Sequence, residues 1–329
     1  MRICNGTRNM KTQKITVNEI TKILKSRPSD SHKGTMGTVN AVVGCSRYRG
    51  AAVLSVMGAL RAGAGIVRLC GTEKVCAAVA AQYPSATLLP LGENAEGYIS
   101  ADSVSEIINA VKPTDVLLIG CGLGQCADTA NTVNRLIFGL KNKKVIDADA
   151  LNLLVSSDSL SVAKNVGALK NCIATPHIGE ISRLCGKPIS EISDSMESAA
   201  QEFSETYGCV TVLKSHRTVI AAPGDGNIDV YVSELGNTGL ARGGSGDVLA
   251  GIIAGFLAQG YTLSESAVLG VAVHGSAADL CASERSMQAM LPSDLGEYIC
   301  RLFSTLENGN LLPRSHTLAD GGPLFRTKN

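Results

Sequence analysis

From about Thr38 the chain repeats one pattern: a short β-branched run, a glycine, then a helical run. VNAVVG leads to GAAVLSVMGALRAG and IVRLCG to EKVCAAVAAQ. VLLIG after Asp115, a helical stretch from Cys126 to Gly139, KKVIDA, and IAT at 173–175 continue the series. Strands joined through helices rather than tight turns pair in parallel, because a parallel crossover needs a long connection. The pattern predicts an α/β fold, a mainly parallel sheet with helices on both faces. After Gly208 the runs CVTVLK, RTVIAAP and IDVYVS, the last two joined by the turn PGDGN, predict a small antiparallel meander. Two helices follow, Asp247 to Gln259 and a segment running to about Ser283, opened by Thr262 and Glu265 at capping-box spacing. Both are apolar on most faces and are expected in the core.

No repeat or low-complexity linker divides the 329 residues. The expectation is a single catalytic domain over 14–305, a flexible N-terminal extension over 1–13 and a loose Gly/Pro/polar tail over 306–329. Lys and Arg number 30 against 29 Asp and Glu, so no basic footprint for nucleic acid exists. The longest apolar candidate, Val248 to Ala258, is short of the ~18 residues of a membrane span, and the basic start MRICNGTRNMKTQK lacks a secretory apolar stretch. A cytoplasmic protein without membrane or nucleic-acid partners is expected. Eleven cysteines, with no CxxC pair, give neither a zinc site nor a disulfide framework, and are read as small hydrophobes.

The segment most informative about chemistry is GNTGLARGGSGD, Gly236 to Asp247, which feeds directly into the apolar helix VLAGIIAGFLAQ. Unpaired N–H groups at a helix start converge on one spot, and glycines let an anion approach the backbone. Gly243, Gly244, Ser245 and Gly246 are the candidate anion hole for a transferring phosphoryl group. Asp247 beside it is the candidate general base for an attacking hydroxyl. The alternative is a helix cap on a tight packing turn. No GxxxxGK[ST] occurs, so this is not a Walker loop.

Thr175-Pro176-His177-Ile178-Gly179-Glu180 ends another strand, at the crevice where open parallel sheets bind ligands. His177 and Glu180 are placed to face it, although a lone exposed His and a first-turn acid explain them equally well. Asp147, Asp149, Gly120, Gly122 and Gly124 also follow strands. The two acids fit either cation binding or helix capping. His274, inside an apolar helix, reads as a satisfied core residue.

Together these ordered motifs resemble the NAD(P)H-hydrate dehydratase family of the ribokinase-like superfamily. The likeness rests on His32-Lys33-Gly34, Gly44 to Ala52 with AVLSVMGALRAGAG, and Gly120 to Gly124. It extends through DADALN at 147–152, TPHIGE at 175–180, Val212-Leu213-Lys214 and Gly236 to Gly251, over roughly residues 14–305. The resemblance implies a ribokinase-like three-layer sandwich. It also implies ADP- or ATP-dependent dehydration of the S epimer of hydrated NADH or NADPH (NADHX or NADPHX), by phosphorylation of the C6 hydroxyl and loss of phosphate. By the same resemblance Asp247 is the base, and Ala51, Gly122, His177 and Asp247 meet the hydrated dinucleotide. Lys214, Ser215, His216, Arg217, Thr218 and Gly246 meet the nucleotide, and Glu180 organises Mg²⁺ through water. A homo-oligomer is expected on the same grounds. With only about thirty residues before His32, the epimerase domain of some members is expected on a separate chain.

Two loops depart from the family pattern: GGS reads Gly44-Cys45-Ser46, and Gly-Pro-Gly reads Gly120-Cys121-Gly122. Three other readings compete. A small-alcohol kinase of the same superfamily would share the Gly-Asp site but lack the HKG, TPHIGE and LKSHRT stretches. A nicotinamide dehydrogenase is disfavoured because Gln125 stands near the third glycine's place in GxGxxG. A nucleotide sensor would have no use for Asp247.

Overall fold

The computed structural model describes residues 12–156 and 159–308. The remainder of the expected extension and tail, with Cys4, lies outside the described residues. The chain opens with β1 (Thr12–Ile15) and α1 (Val17–Ile23), then β2 (Thr38–Val42), α2 (Arg49–Arg61), β3 (Ile66–Thr72), α3 (Glu73–Gln82) and β4 (Thr87–Leu91). Next come α4 (Val104–Ala110), β5 (Val116–Ile119), α5 (Ala127–Gly139), β6 (Lys144–Ile146), α6 (Asp149–Ser156), α7 (Ser159–Val166) and β7 (Cys172–Ala174). Three helices follow, α8 (Ile178–Cys185), α9 (Ile189–Asp194) and α10 (Met196–Tyr207), then β8 (Val210–Leu213), β9 (Thr218–Pro223) and β10 (Ile228–Ser233). The described chain ends with α11 (Ser245–Ala258), α12 (Leu263–Glu284) and α13 (Leu295–Glu307).

All ten strands form one sheet in the order β1-β10-β9-β8-β7-β6-β5-β2-β3-β4. From β8 to β4 every pairing is parallel, as the alternation required. The meander exists, but it is not a separate unit: β8, β9 and β10 run antiparallel as a continuation of the same sheet. β1 then pairs in parallel with β10, so Thr12 and Gln13 belong to the sheet rather than to an extension.

The strands are buried on both faces and sort their side chains by the two-residue period. In β5, Val116 and Leu118 join one core while Leu117 and Ile119 join the other. The first core lies under α1, α2, α3, α11, α12 and α13, the second under α4 to α10. This is the three-layer arrangement the resemblance implied.

The boundaries of α12 follow its caps. Thr262 Oγ1 accepts from the Glu265 N–H at 3.1 Å, and Glu265 Oε2 accepts from the Thr262 N–H at 2.9 Å. Its mean hydropathy reaches 1.2, more membrane-like than the Val248–Ala258 segment had suggested, but 78% of that window is buried among the other helices. A core position explains its composition.

Against α2, α11 packs backbone to backbone. A Cβ at Gly251 would lie 2.1 Å from the Ser55 carbonyl oxygen, and one at Gly58 would lie 2.4 Å from the Val248 carbonyl oxygen. Glycine is required here for the approach of two helices, which in turn holds the first turn of α11 over the sheet. The Gly251→Ala variant tests this. Helix propensity alone would stabilise it by about 1 kcal/mol, whereas the clash predicts a net loss of about 1–3 kcal/mol. Urea unfolding reads the sign, and a stabilised variant would refute the close packing.

Candidate active site

Four adjacent parallel strands deliver the site from their carboxyl ends: β5 into Gly120–Gly124, β6 into Asp147, β7 into Thr175–His177, and β8 into Lys214. At the centre, Lys214 Nζ lies 2.5 Å from Asp147 Oδ1, with side chains 18% and 2% exposed. Thr175 Oγ1 donates to the same oxygen at 2.8 Å, and Cys121 Sγ donates to Asp147 Oδ2 at 3.5 Å. Burial works against the Lys214 ammonium, but Asp147 and Glu180 outweigh it and hold its pKa above the ordinary value. Asp147 was only one of several strand-end acids in the sequence. Its place beneath Lys214 makes it the hub of the site.

Above this pair stands the start of α11. The helix begins at Ser245, two residues earlier than the sequence suggested, and its cap position is Gly244 with φ +103°. That left-handed conformation favours glycine. Asp247 therefore sits inside the first turn and is not the cap. The N–H groups of this turn are among the four that an α-helix leaves without intrahelical acceptors. Lys214 Nζ would be 3.3 Å from a Cβ placed on Gly246, so the ammonium reaches the same turn. One donor atom each from Cys121, Asp147 and Asp247 lie within 4.8 Å of one another. Burial first, then repulsion from Asp147, pushes Asp247 up to about 7, with Lys214 and Cys121 pulling the other way. A carboxylate at that value exchanges protons readily at neutral pH.

His177 and Glu180 both feel the charges of Lys214 and Asp147, and each has a structural task. The His177 Nδ1 accepts from the N–H groups of Gly179 and Glu180, while Glu180 Oε2 accepts from the His177 N–H at 2.8 Å. An imidazole thus closes a capping box at the start of α8. Burial, Lys214 and Arg183 lower the His177 pKa, so the ring is neutral at pH 7. Burial raises that of Glu180, with Lys214 partly offsetting it. The backbone of Lys214 is tied to this corner as well, donating to the Pro176 carbonyl at 2.8 Å.

Ala51 and Gly122 approach each other closely: a Cβ on Gly122 would lie 2.6 Å from the Ala51 Cβ. The two loops that depart from the family pattern are joined by the Gly44 N–H donating to the Cys121 carbonyl at 2.8 Å. Cys45 and Cys121 are both fully buried beneath them. Burial and the neighbouring Asp147 and Asp247 hold the Cys121 thiol protonated, well above its usual pKa. Of the LKSHRT stretch, Lys214 points into the site, Ser215 and His216 bond each other, Arg217 pairs with Glu197 of α10, and Thr218 opens β9. Asp149 opens α6 and accepts from the Gly124 N–H at 2.8 Å, which favours a loop-fastening role over cation binding. His274 is buried as expected, but Nε2 lacks a hydrogen-bond partner among the described residues, which corrects its reading as satisfied. Burial lowers its pKa to about 4, leaving it neutral behind Ser245.

Asp147, Glu180 and Asp247 all lie within Coulombic reach of the Lys214 ammonium, and their hard oxygen atoms suit Mg²⁺ better than the protonated Cys121 thiol would suit a softer metal.

The sequence profile of a family described as NAD(P)H-hydrate dehydratase matches residues 39–301. A bifunctional NAD(P)H-hydrate repair enzyme of Moorella thermoacetica is 36% identical over 284 residues, which are 86% of this chain and 52% of that protein. The chain thus spans about half the length of such bifunctional relatives. An ADP-dependent (S)-NAD(P)H-hydrate dehydratase of Neisseria meningitidis is 35% identical over 82% of this chain and 85% of its own. Among solved structures, an ADP/ATP-dependent NAD(P)H-hydrate dehydratase of Bacillus subtilis, co-crystallised with ATP and Mg²⁺, superposes with a TM-score of 0.73 at 27% identity. The match covers 90% of this chain and 99% of that one.

The raised pKa of Asp247 has a consequence for stability. Its folded value of about 7 exceeds the ordinary 3.8, so stability present below pH 4 is lost as pH rises through 7. Asp247→Asn removes that loss. Thermal unfolding is expected to show the variant more stable at pH 8, by about 2 kcal/mol after screening, and no more stable at pH 4. Equal stability at pH 8 would refute the buried, repelled carboxylate.

Proposed function

The chain belongs to the NAD(P)H-hydrate dehydratase family, and from that premise we propose that it returns the S epimers of hydrated NADH and NADPH to the reduced dinucleotides with ADP or ATP as phosphoryl donor. The observation that carries this reading is Asp247, with its pKa raised to about 7, in the first turn of α11 beside the Lys214 ammonium. The donor lies along Lys214 to Thr218, its phosphates at Gly243 to Gly246. The hydrated ring lies between Ala51, Gly122 and His177, with its C6 hydroxyl at Asp247.

Asp247 accepts the hydroxyl proton as that oxygen bonds to the terminal phosphorus, and the bond from phosphorus to the donor's bridging oxygen breaks. Backbone N–H groups and Lys214 stabilise the negative charge on the transferring group. The C6 oxygen now leaves as phosphate rather than hydroxide. The lone pair of the ring nitrogen expels it, and loss of a proton from C5 restores the ring double bond. Mg²⁺ accompanying the nucleotide would be held from Glu180 and Asp147, and would neutralise phosphate charge. An epimerase acting on the other hydrate epimer is the reaction that would keep this one supplied, and a cytoplasmic setting suits such substrates.

Recovery of the near-ultraviolet absorbance of dihydronicotinamide from chemically hydrated NADH, with ADP and ATP in parallel, tests the reaction. Recovery that requires a nucleotide is expected. Its absence with either donor, despite nucleotide binding, would move the assignment to an alcohol kinase. The kcat/KM is expected to rise with pH through an apparent pKa of about 7 as Asp247 deprotonates. Asp247→Asn should bind nucleotide normally and lose turnover by about a hundredfold or more; near-normal turnover would exclude it as the base. His177→Ala should raise the KM for the hydrate, whereas His177→Asn, which can still cap α8, separates that effect from helix stability.

A further inference from the structure

Between β10, which ends at Ser233, and α11, which starts at Ser245, the only regular structure is the single helical turn Thr238–Leu240. A Cβ on Gly243 would meet nothing within 4 Å, so no neighbouring group packs on that side of the chain just ahead of α11. The position of the glycine-rich turn is therefore set where its two ends are fastened. α11 fastens one end, and α12 fastens the other.

Leu235 crosses α12 at Gly275, where a Cβ would lie 2.7 Å from the Leu235 carbonyl carbon. One helical turn further along the same face stands Asp279. Its Oδ2 accepts from the Gly236 N–H at 2.9 Å, and its Oδ1 accepts from Asn237 Nδ2 at 3.1 Å. The same Asn237 amide nitrogen donates to the Ala278 carbonyl at 3.0 Å, while Asn237 Oδ1 accepts from the Gly239 N–H at 2.9 Å. Asn237 thus ties α12 on one side to the Thr238–Leu240 turn on the other. Both oxygens of Asp279 are engaged by this stretch of chain, and Asp279 has no ion pair among the described residues. Hydrogen bonds to an ionised carboxylate are the stronger kind. Because α12 is a core helix, that carboxylate gives the turn a rigid reference.

We infer that Asp279 is a positioning residue for phosphoryl transfer: through Gly236 and Asn237 it sets where the N–H groups of Gly243 to Gly246 meet the nucleotide phosphates. The inference rests on the reading that those phosphates sit at the glycine-rich turn. Donors of this kind stabilise developing charge only when aimed at it, and a misplacement of about 1 Å costs about a hundredfold in rate. Asp279 acts through the backbone and not on either reactant. The seat proposed for the hydrated ring, at Ala51, Gly122 and His177, is built on other elements and does not depend on it.

The test compares Asp279→Ala, Asp279→Asn, Asn237→Asp and the double variant Asn237→Asp/Asp279→Asn with the wild-type chain. ADP affinity is read by calorimetry, and kcat and the KM for the hydrate are measured at saturating donor. Asp279→Ala is expected to weaken ADP by about tenfold and lower kcat by about tenfold or more, with the KM for the hydrate within about twofold. A merely structural defect would instead reduce binding stoichiometry and kcat together at unchanged ADP affinity. Asp279→Asn sets an amide against a donor, and Asn237→Asp sets two carboxylates face to face, so each should also weaken ADP. In the double variant the amide and the carboxylate exchange sides and a donor again faces an acceptor. ADP affinity should then recover by about threefold or more over either single change, and this exchange decides the matter if Asp279→Ala does not fold. ADP affinity unchanged in the Asp279 variants, or a double variant that only adds the two single losses, would overturn the inference. A wild-type chain that binds ADP but never converts the hydrate would refute the dehydratase reading, while the ADP affinities would still judge Asp279.

Discussion

Lys214 and Asp147 form the contact on which the rest of the site depends. Their side chains come from β8 and β6, two strands separated by β7, and they meet at 2.5 Å where the sheet ends. A buried ion pair contributes little net stability, but removing one partner leaves a charge without compensation, at a cost of about 3–5 kcal/mol. Here the geometry has a further effect. One ammonium fixes Asp147, moderates Asp247 and Glu180, and reaches the first turn of α11. A single positive charge thereby makes three enclosed carboxylates compatible with a folded chain.

That compensation is incomplete, and in the reaction proposed above the shortfall suits Asp247 to act as base. A fully neutralised Asp247 would keep an ordinary carboxylate pKa and would be a weak base at pH 7. Its elevation comes from burial and from Asp147, the residue that Lys214 holds in place. His177 shows a second case of one group serving two ends. Its ring caps α8 through Nδ1, so any ligand touching the exposed edge also bears on that helix start. Packing supports both devices from a distance, because the glycines of α2 and α11 let the two helices approach closely behind the glycine-rich turn.

Much of this was legible in the sequence because it was local. The alternation of strand, glycine and helix gave the parallel sheet, and the Thr262 to Glu265 spacing gave the start of α12. The glycine-rich turn and Asp247 were readable because a helix N-terminus advertises itself through neighbours in the chain. What escaped was long-range. Nothing near Asp147 announces Lys214, 67 residues away, so its central place depended on strand order. The His177 capping box was hidden because imidazole is an uncommon cap. The start of α11 was displaced by two residues because Gly244, rather than a polar side chain, occupies the cap. The meander was foreseen, but its continuity with the main sheet is a matter of pairing partners.

The outermost strand carries a consequence for how the chain reaches this state. β1 is the first described segment, yet its partner β10 is synthesised some 220 residues later, as the Lys14 to Glu234 ion pair records. No local contact can bring the two together, and loop closure over that distance is entropically costly. During synthesis the N-terminal segment must therefore wait while the central strands assemble. Until it docks, β10 exposes an open edge that invites pairing with another chain. When the four residues of β1 dock, they move that edge of the sheet from β10 to a shorter strand carrying Lys14, and short, charged edges are poor templates for pairing with another chain.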